Sequence, residues 1–340
     1  MLQRRAVSAV VGIALSALVC GAAQGQDAFP SKNITMVVPF PAGGTADLLC
    51  RYAGEKASAE LGQQVVIENR PGGAGGRVGI EQVLRATPDG YTLLCSTQLS
   101  YSITHLVFSK SSFDPRPLEP ISVLATYPLV ILTRANLPVN SLAEFNAYAK
   151  GGKVNYGNQG VANTGHLLGA LMELKGGYKM TPVFYRGSAP AINDLLAGTI
   201  DMVPDYLLAN KGNIDAGKIK MIAVADHHRL KEYPNVATME ETMPGVTSIT
   251  WMAVSAPPGT PKEITKKISD AIGKGFKQPD MQERILKLEA DPLGSTPDAM
   301  RQMIQESTDI WGPVVKAANI AIDECGMTLH MSLGRPSTKA

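Results

Sequence analysis

The segment Met36-Val-Val-Pro-Phe-Pro-Ala-Gly-Gly-Thr-Ala-Asp47 constrains the fold more than any other stretch, because it runs an apolar strand into a glycine turn and then into a helix. Ile34 to Val38 is short, apolar and rich in β-branched residues, the pattern of a strand covered on both faces in a parallel sheet. Pro39 and Pro41 end it. Gly43 and Gly44 open backbone angles closed to other residues and let a ligand approach main-chain N–H groups. Thr45 stands as the N-cap of a helix over residues 46–61. The first turn of that helix directs unpaired N–H groups and a positive dipole end outward. Taken alone, the segment reads either as an anion-binding turn or as a plain strand-to-helix connection.

The first residues bear on compartment. Arg4 and Arg5 precede an apolar run from Ala6 to Cys20, followed by Gly21, Ala22, Ala23 and Gly25, the layout of a secretory signal peptide over residues 1–25. Export to the periplasm is expected, with the mature chain starting near Gln26. Cys20 leaves a lipid-modified start as the lesser alternative, since Val19 is bulky where a lipoprotein signal wants a small residue. No later segment holds eighteen uninterrupted apolar residues, so a membrane span is not expected. The 340 residues exceed the usual size of one compact core and point to two domains. With 44% hydrophobic residues and a net charge of +2, the composition excludes disorder, a nucleic-acid footprint and long-range gathering of anions. Removal of the signal leaves Cys50, Cys95 and Cys325, an odd number, and buried thiols are the expectation for Cys50 and Cys95.

Along the chain, strand-like runs alternate with helical ones, an α/β rhythm. Strands are expected over 64–68, 91–95, 121–125, 129–133, 154–156, 182–185, 201–203 and 220–225. Helices are expected over 141–150, with Ser141 as cap and Glu144 three residues on, and over 164–174 with Thr164 as cap. Near Thr126-Tyr-Pro128 the chain leaves a first unit, and near Ile249-Thr-Trp-Met-Ala-Val-Ser255 it returns. The expected organisation is one domain from residues 26–127 with 250–322, a second from 128–249 inserted into it, and a tail over 323–340. Ile304, Ile310 and Val314 are expected to cover one domain's sheet.

An ordered series of short blocks resembles the extracytoplasmic solute receptors of tripartite tricarboxylate transporters, the Bug receptors. The series runs Val38-Pro-Phe-Pro-Ala-Gly-Gly44 with Asp47, Glu68-Asn-Arg-Pro-Gly72, Pro88-Asp-Gly-Tyr-Thr-Leu-Leu94, Tyr185-Arg-Gly-Ser-Ala-Pro190, then Gly198, Asp201 and Asp205. The likeness extends from Phe29 to Lys316. It implies a type II-like periplasmic binding fold, two α/β domains with a hinged cleft that closes on a small carboxylate. It implies no catalysis, metal or cofactor, and membrane transporter subunits as partner; a monomer is expected. Carried onto this chain, the resemblance puts ligand contacts at Phe40, Pro41, Ala42, Gly43, Gly44 and Thr45, with Asp47 bracing the turn and Thr97 in the next loop. The second domain is implied to supply Asn158, Thr164, His166, Tyr185, Arg186, Gly187 and Asp205.

Departures bear on the ligand. The glycine tail Gly72-Gly-Ala-Gly-Gly76 is one residue longer than in the family, and Arg186 stands where lysine is usual. Gln98-Leu-Ser-Tyr101 and Val161-Ala-Asn-Thr-Gly165 occupy loops implied to face the ligand's far end. Arg186 either clamps a second carboxylate, bridges the domains or lies in solvent. Tyr101 and Phe40 either sandwich an aromatic acid or pack into their own core, the favoured reading.

Other constellations read more blandly. Gly73-Ala-Gly75 misses the third glycine of a dinucleotide fingerprint at Val78, and no acid follows at a strand end. Asp226-His-His228 are neighbours in a charged loop and do not converge like metal ligands. His166 either donates to a ligand or braces its own loop. A hydrolase using Ser188 or His166, presentation to a sensor kinase, and scavenging without a transporter are the alternative functions, although no GxSxG elbow surrounds Ser188.

Overall fold

A computed structural model describes residues 29–72, 74–108 and 113–322. The expected signal peptide, Cys20, Cys325 and the 323–340 tail lie outside the described residues. In chain order, β1 (Ile34–Val38), α1 (Thr45–Leu61), β2 (Val65–Asn69), α2 (Arg77–Leu84) and β3 (Thr92–Thr97) build a parallel unit. A π-helical turn, Leu99–Ile103, follows β3 directly. β4 (Glu119–Arg134) then leads to α3 (Leu142–Gly151), β5 (Asn155–Asn158), α4 (Thr164–Gly176), β6 (Thr181–Phe184) and α5 (Ser188–Ala197). After β7 (Met202–Tyr206), α6 (Leu207–Asp215) and β8 (Ile219–Val224), the chain returns through β9 (Ile249–Ala256). It ends with α7 (Lys262–Phe276), α8 (Pro279–Leu286), β10 (Asp291–Pro292) and α9 (Pro297–Ala317).

The strands join in the order β2-β1-β3-β9-β4-β7-β5-β6, with β8 and β10 also paired to β4. β4 is therefore shared. Its first part pairs with β9 as far as Pro128↔Ile249, and its last part, from Leu129, pairs with β7 and β8. The sequence suggested two strands broken at Thr126-Tyr-Pro128, whereas the structure holds one 16-residue strand. Pro128 is tolerated because it sits where the ladder with β9 ends and the next ladder has not begun.

Local signals set most helix starts. Ser141 Oγ accepts the Glu144 N–H at 3.2 Å, and Glu144 Oε2 accepts the Asn140 N–H at 2.7 Å. Two expected caps move by one residue: Gly44 caps α1 without a side-chain bond, and Asn163 caps α4 by accepting the His166 N–H at 2.9 Å. The glycine tail has a packing role. Gly76 has φ 78°, and a Cβ there would lie 2.7 Å from the Pro39 Cβ, so only glycine lets α2 close against the end of β1.

One apolar cluster runs without a break from Val37 and Ile80 through Leu129 and Ile131 to Leu167 and Trp311. A second, with Val38, Leu93, Met252 and Phe276, lies under α1 and α7. α9 packs on β4, on the π-helical turn and on α4, so it touches both parts of the sheet. Within α9, Val314 is buried and Ile304 packs on the first cluster, but Ile310 is exposed, contrary to expectation.

Cys50 on α1 and Cys95 on β3 form a disulfide with Cα atoms 5.9 Å apart, which corrects the expectation of buried thiols. Their separation of 45 residues carries no local signal of pairing; proximity comes from α1 crossing back over the sheet. Closing such a loop restricts the unfolded chain. Replacing both by alanine should lower unfolding free energy by about 2–4 kcal/mol. Denaturant titration checks this: the wild type should show the loss on reduction, and the variant should not respond to reductant.

Candidate ligand-binding cleft

The turn between β1 and α1 is held from inside by a carboxylate. Asp47 is 1% exposed, and its Oδ2 accepts the Gly43 N–H at 2.9 Å and Arg51 Nε at 2.8 Å. Its Oδ1 accepts Asn69 Nδ2 at 2.8 Å, and the same amide group donates to the Phe40 carbonyl at 3.1 Å. Burial opposes ionisation of Asp47, but the Arg51, Asn69 and Gly43 hydrogen bonds outweigh it and hold the carboxyl below the usual aspartate range. Gly43 has φ 92°, which favours glycine, whereas Gly44 has φ −81° and open space around its missing Cβ. Pro41 to Gly44 are exposed, and Gly44 offers no side chain to the N–H groups of Thr45 to Asp47.

A second buried carboxylate organises the opposite wall. Asp205, fully buried, accepts Gln159 Nε2 at 2.7 Å, the Tyr206 N–H at 2.8 Å, Asn210 Nδ2 at 3.0 Å and the Ser188 hydroxyl. Asn163, the α4 cap, donates to Gln159 Oε1 at 3.0 Å and so joins the network. This network fixes the N-termini of α4, α5 and α6 relative to one another. Burial pushes the Asp205 carboxyl above its ordinary range in spite of these donors. α5 and α6 begin at Gly187 and Tyr206 without side-chain caps.

Between the walls lies a cleft of about 370 Å³. Thr45, Thr97, Thr164, Ser188 and Asp205 supply polar lining. Phe40, Leu99, Leu208 and Leu288 supply apolar lining. Tyr127 of β4 and Tyr206 of β7 also line it, edge to face with centroids 5.3 Å apart.

Of the residues expected from the sequence, Phe40, Thr45, Thr97, Thr164 and Asp205 are brought together in this cleft, while Asp47 lies behind the exposed turn Pro41, Ala42, Gly43 and Gly44. Asn158 is fully buried; its Oδ1 accepts the Gly160 N–H at 3.2 Å and its Nδ2 has no partner among the described residues. His166 Nδ1 accepts the Ala162 N–H at 3.0 Å and its ring meets Phe184 edge-on, so it braces its own loop. Burial depresses its pKa to about 4, which keeps the ring neutral. Tyr185 donates to Asp194 Oδ2 at 2.6 Å, Gly187 caps α5, and Arg186 is exposed. Tyr101 stacks on Trp251 at 5.6 Å and donates to the Ala253 carbonyl at 3.0 Å, so it belongs to the core and not to a sandwich with Phe40. His227 pairs with Glu240, and among the described residues no group of three potential ligands could hold a metal.

Asn163 lines the cleft within the Val161–Gly165 loop that the sequence pointed to, whereas sequence reasoning missed Tyr127, Tyr206 and Gln159 as lining, and also Leu288 with Glu289. Gln98, between the lining residues Thr97 and Leu99, is 1% exposed, and neither amide atom has a partner among the described residues. The one usable signal for the brace was Asn69 within Glu68-Asn-Arg, a block whose meaning emerges only when β2 lies beside β1.

The sequence model of the tripartite tricarboxylate transporter family receptor matches residues 49–320. The chain belongs to this receptor family. It is 32% identical to Protein BugT of Bordetella pertussis, over 91% of this chain and 96% of that one. Its fold matches the periplasmic binding protein BugD with a TM-score of 0.71 and 32% identity, covering 86% of this chain and 99% of that one. An R. palustris protein, Rpa4515, solved with adipate, matches with a TM-score of 0.73 and 31% identity over 86% and 99% of the two chains. The receptor thus has the α/β fold of the TctC/Bug periplasmic binding proteins. No described helix is long and apolar enough to cross a membrane.

The Asp47 brace makes a pH-dependent prediction for the receptor. A carboxylate whose folded pKa lies below its ordinary 3.8 stabilises the fold above that pH, and the contribution disappears as pH falls through the folded value. Asp47→Asn should destabilise by about 1–3 kcal/mol at pH 7. Urea unfolding from pH 7 to pH 3 should show the gap to wild type closing only at the acid end; a constant gap would remove ionisation from the explanation.

Proposed function

We propose that the receptor captures a small carboxylate in this cleft within the periplasm and presents it to the membrane subunits of a tripartite tricarboxylate transporter. The observation that carries this reading is the convergence of four helix N-termini on one cavity, α1 from one wall and α4, α5 and α6 from the other. Three of them lack side-chain caps, which leaves first-turn N–H groups for an external acceptor. Each terminus carries about half a positive charge, a favourable setting for an anion. At roughly 1.5–3 kcal/mol for each charge-assisted hydrogen bond, three or four contacts suffice for micromolar binding without an arginine.

In this reading Phe40, Thr45 and Thr97 of the lining, with the main chain of the exposed turn between Phe40 and Thr45, hold the acid on one side. Thr164 and the α5 turn after Gly187 hold it on the other. Asp47 and Asp205 brace and do not bind. Gln98 and the Asn158 Nδ2 group, without partners among the described residues, adjoin the lining residues Thr97 and Gln159 and are the groups an ordered water would satisfy. Residues 1–25 direct export; residues 26–127 with 250–322 move against residues 128–249, with β4 shared between them and the chain returning at the start of β9. The likeness to BugD and to an adipate-bound relative supports capture of a carboxylate.

Gly44→Val tests the turn. The backbone there is ordinary and the space open, so the variant should fold, at a cost of order 1 kcal/mol in helix capping. The branched side chain should nevertheless screen the α1 N–H groups and weaken the acid by at least tenfold. A ligand at a hundred times its Kd stabilises the wild type by about 2.7 kcal/mol, so thermal shift over a panel of acids reads the loss. Equal shifts in both proteins would take the turn out of the site.

A further inference from the structure

Among the described lining residues, the cleft offers positive potential through its helix N-termini. Among the described residues that line it there is no lysine or arginine; the charged lining side chains are Asp205 and Glu289. Arg186, the residue the sequence offered as a clamp for a second carboxylate, is exposed and is not part of the lining. Asp205 already accepts four protein donors, two on each oxygen, and has little capacity left. Glu289 differs. Among the described residues its close cation is Lys211 Nζ at 3.9 Å, beyond hydrogen-bond distance, and Lys211 is itself engaged by Glu232. Leu288 and Glu289 lie side by side on the wall, and the left-handed backbone at Glu289, φ 52°, turns this pair into the cleft from the end of α8.

A ligand with one carboxylate finds its partners at the helix starts. A second carboxylate beside Leu288 and Glu289 would meet an apolar side chain and a like charge, and like charges at close range near a protein surface repel. An ammonium at that place would instead complete the unfilled hydrogen-bonding capacity of Glu289. We infer that the cleft selects a monocarboxylate with an apolar body and a cationic or uncharged far end, and that Glu289 sets this preference against dicarboxylates. The inference rests on the carboxylate reading above and narrows it. Burial and the nearby Glu232 and Asp215 already push the Glu289 carboxyl upward against the pull of Lys211, so an added anion is disfavoured further.

The test is calorimetric titration at pH 7 with acids matched in length at four, six and eight carbons, each as the ω-amino acid, the simple fatty acid and the dicarboxylate. At the length that binds, the six-carbon case being 6-aminohexanoate, hexanoate and adipate, the expected order is amino acid tightest and dicarboxylate weakest, at least tenfold apart. Glu289→Gln, checked for an unchanged unliganded melting temperature, should weaken the amino acid, strengthen the dicarboxylate and leave the fatty acid within twofold. A dicarboxylate that binds as tightly as its amino partner overturns the inference while leaving carboxylate capture intact, and so does a variant that shifts all three ligands equally. If no acid of any length binds, or hexylamine binds as well as 6-aminohexanoate, the carboxylate reading itself falls, and the inference with it.

Discussion

Two buried carboxylates, Asp47 and Asp205, make the rest of the site possible because both spend their acceptor capacity inward. Asp47 consumes Gly43, Arg51 and Asn69; Asp205 consumes Gln159, Ser188, Asn210 and the Tyr206 N–H. They brace the loops that open α1, α5 and α6, three helices that start without side-chain cap bonds. The two differ in balance: donors prevail over burial at Asp47, and burial prevails at Asp205. The proposed carboxylate site is compatible with these internal carboxylates because hydrogen-bond donors absorb their charge locally while the uncapped helix starts adjoin the cleft.

Much of this was legible in the sequence, for reasons that are local. The apolar run Ile34–Val38, the proline stops and the double glycine specify β1, the turn and α1 within a residue, since each signal acts over a few neighbours. Ser141 with Glu144 identified the start of α3 for the same reason. The missing parts are the ones that sheet pairing creates. Tyr127 and Tyr206 meet because Leu129↔Tyr206 sets the register between β4 and β7, and Asn69 reaches Asp47 because Val38↔Asn69 aligns β2 with β1. Leu288 and Glu289 arrive from the end of α8, far along the chain, and no spacing announces them.

The disulfide and the glycine tail belong to the same design. Cys50 lies one and a half turns into the helix whose start faces the cleft, and Cys95 lies two residues before Thr97, which lines it. The bond therefore ties two wall elements to each other beneath the surface. Gly76 lets α2 press on Pro39, which fixes the entry to the same turn from the other side.

The shared strand β4 has a mechanical consequence. Its residues Leu129 and Ile131 sit in an apolar cluster that extends unbroken into both parts of the sheet, and α9 laces that cluster from outside. Any rocking of the walls must flex this packed material and cannot swing on a slack connector, because close-packed interiors resist shear. The molecule's compliance and its durability are thus written into the same side chains. If the walls rock as proposed, a methyl group trimmed from the surroundings of Ile131 or Trp311 would alter how readily they meet, from a place outside the cleft lining.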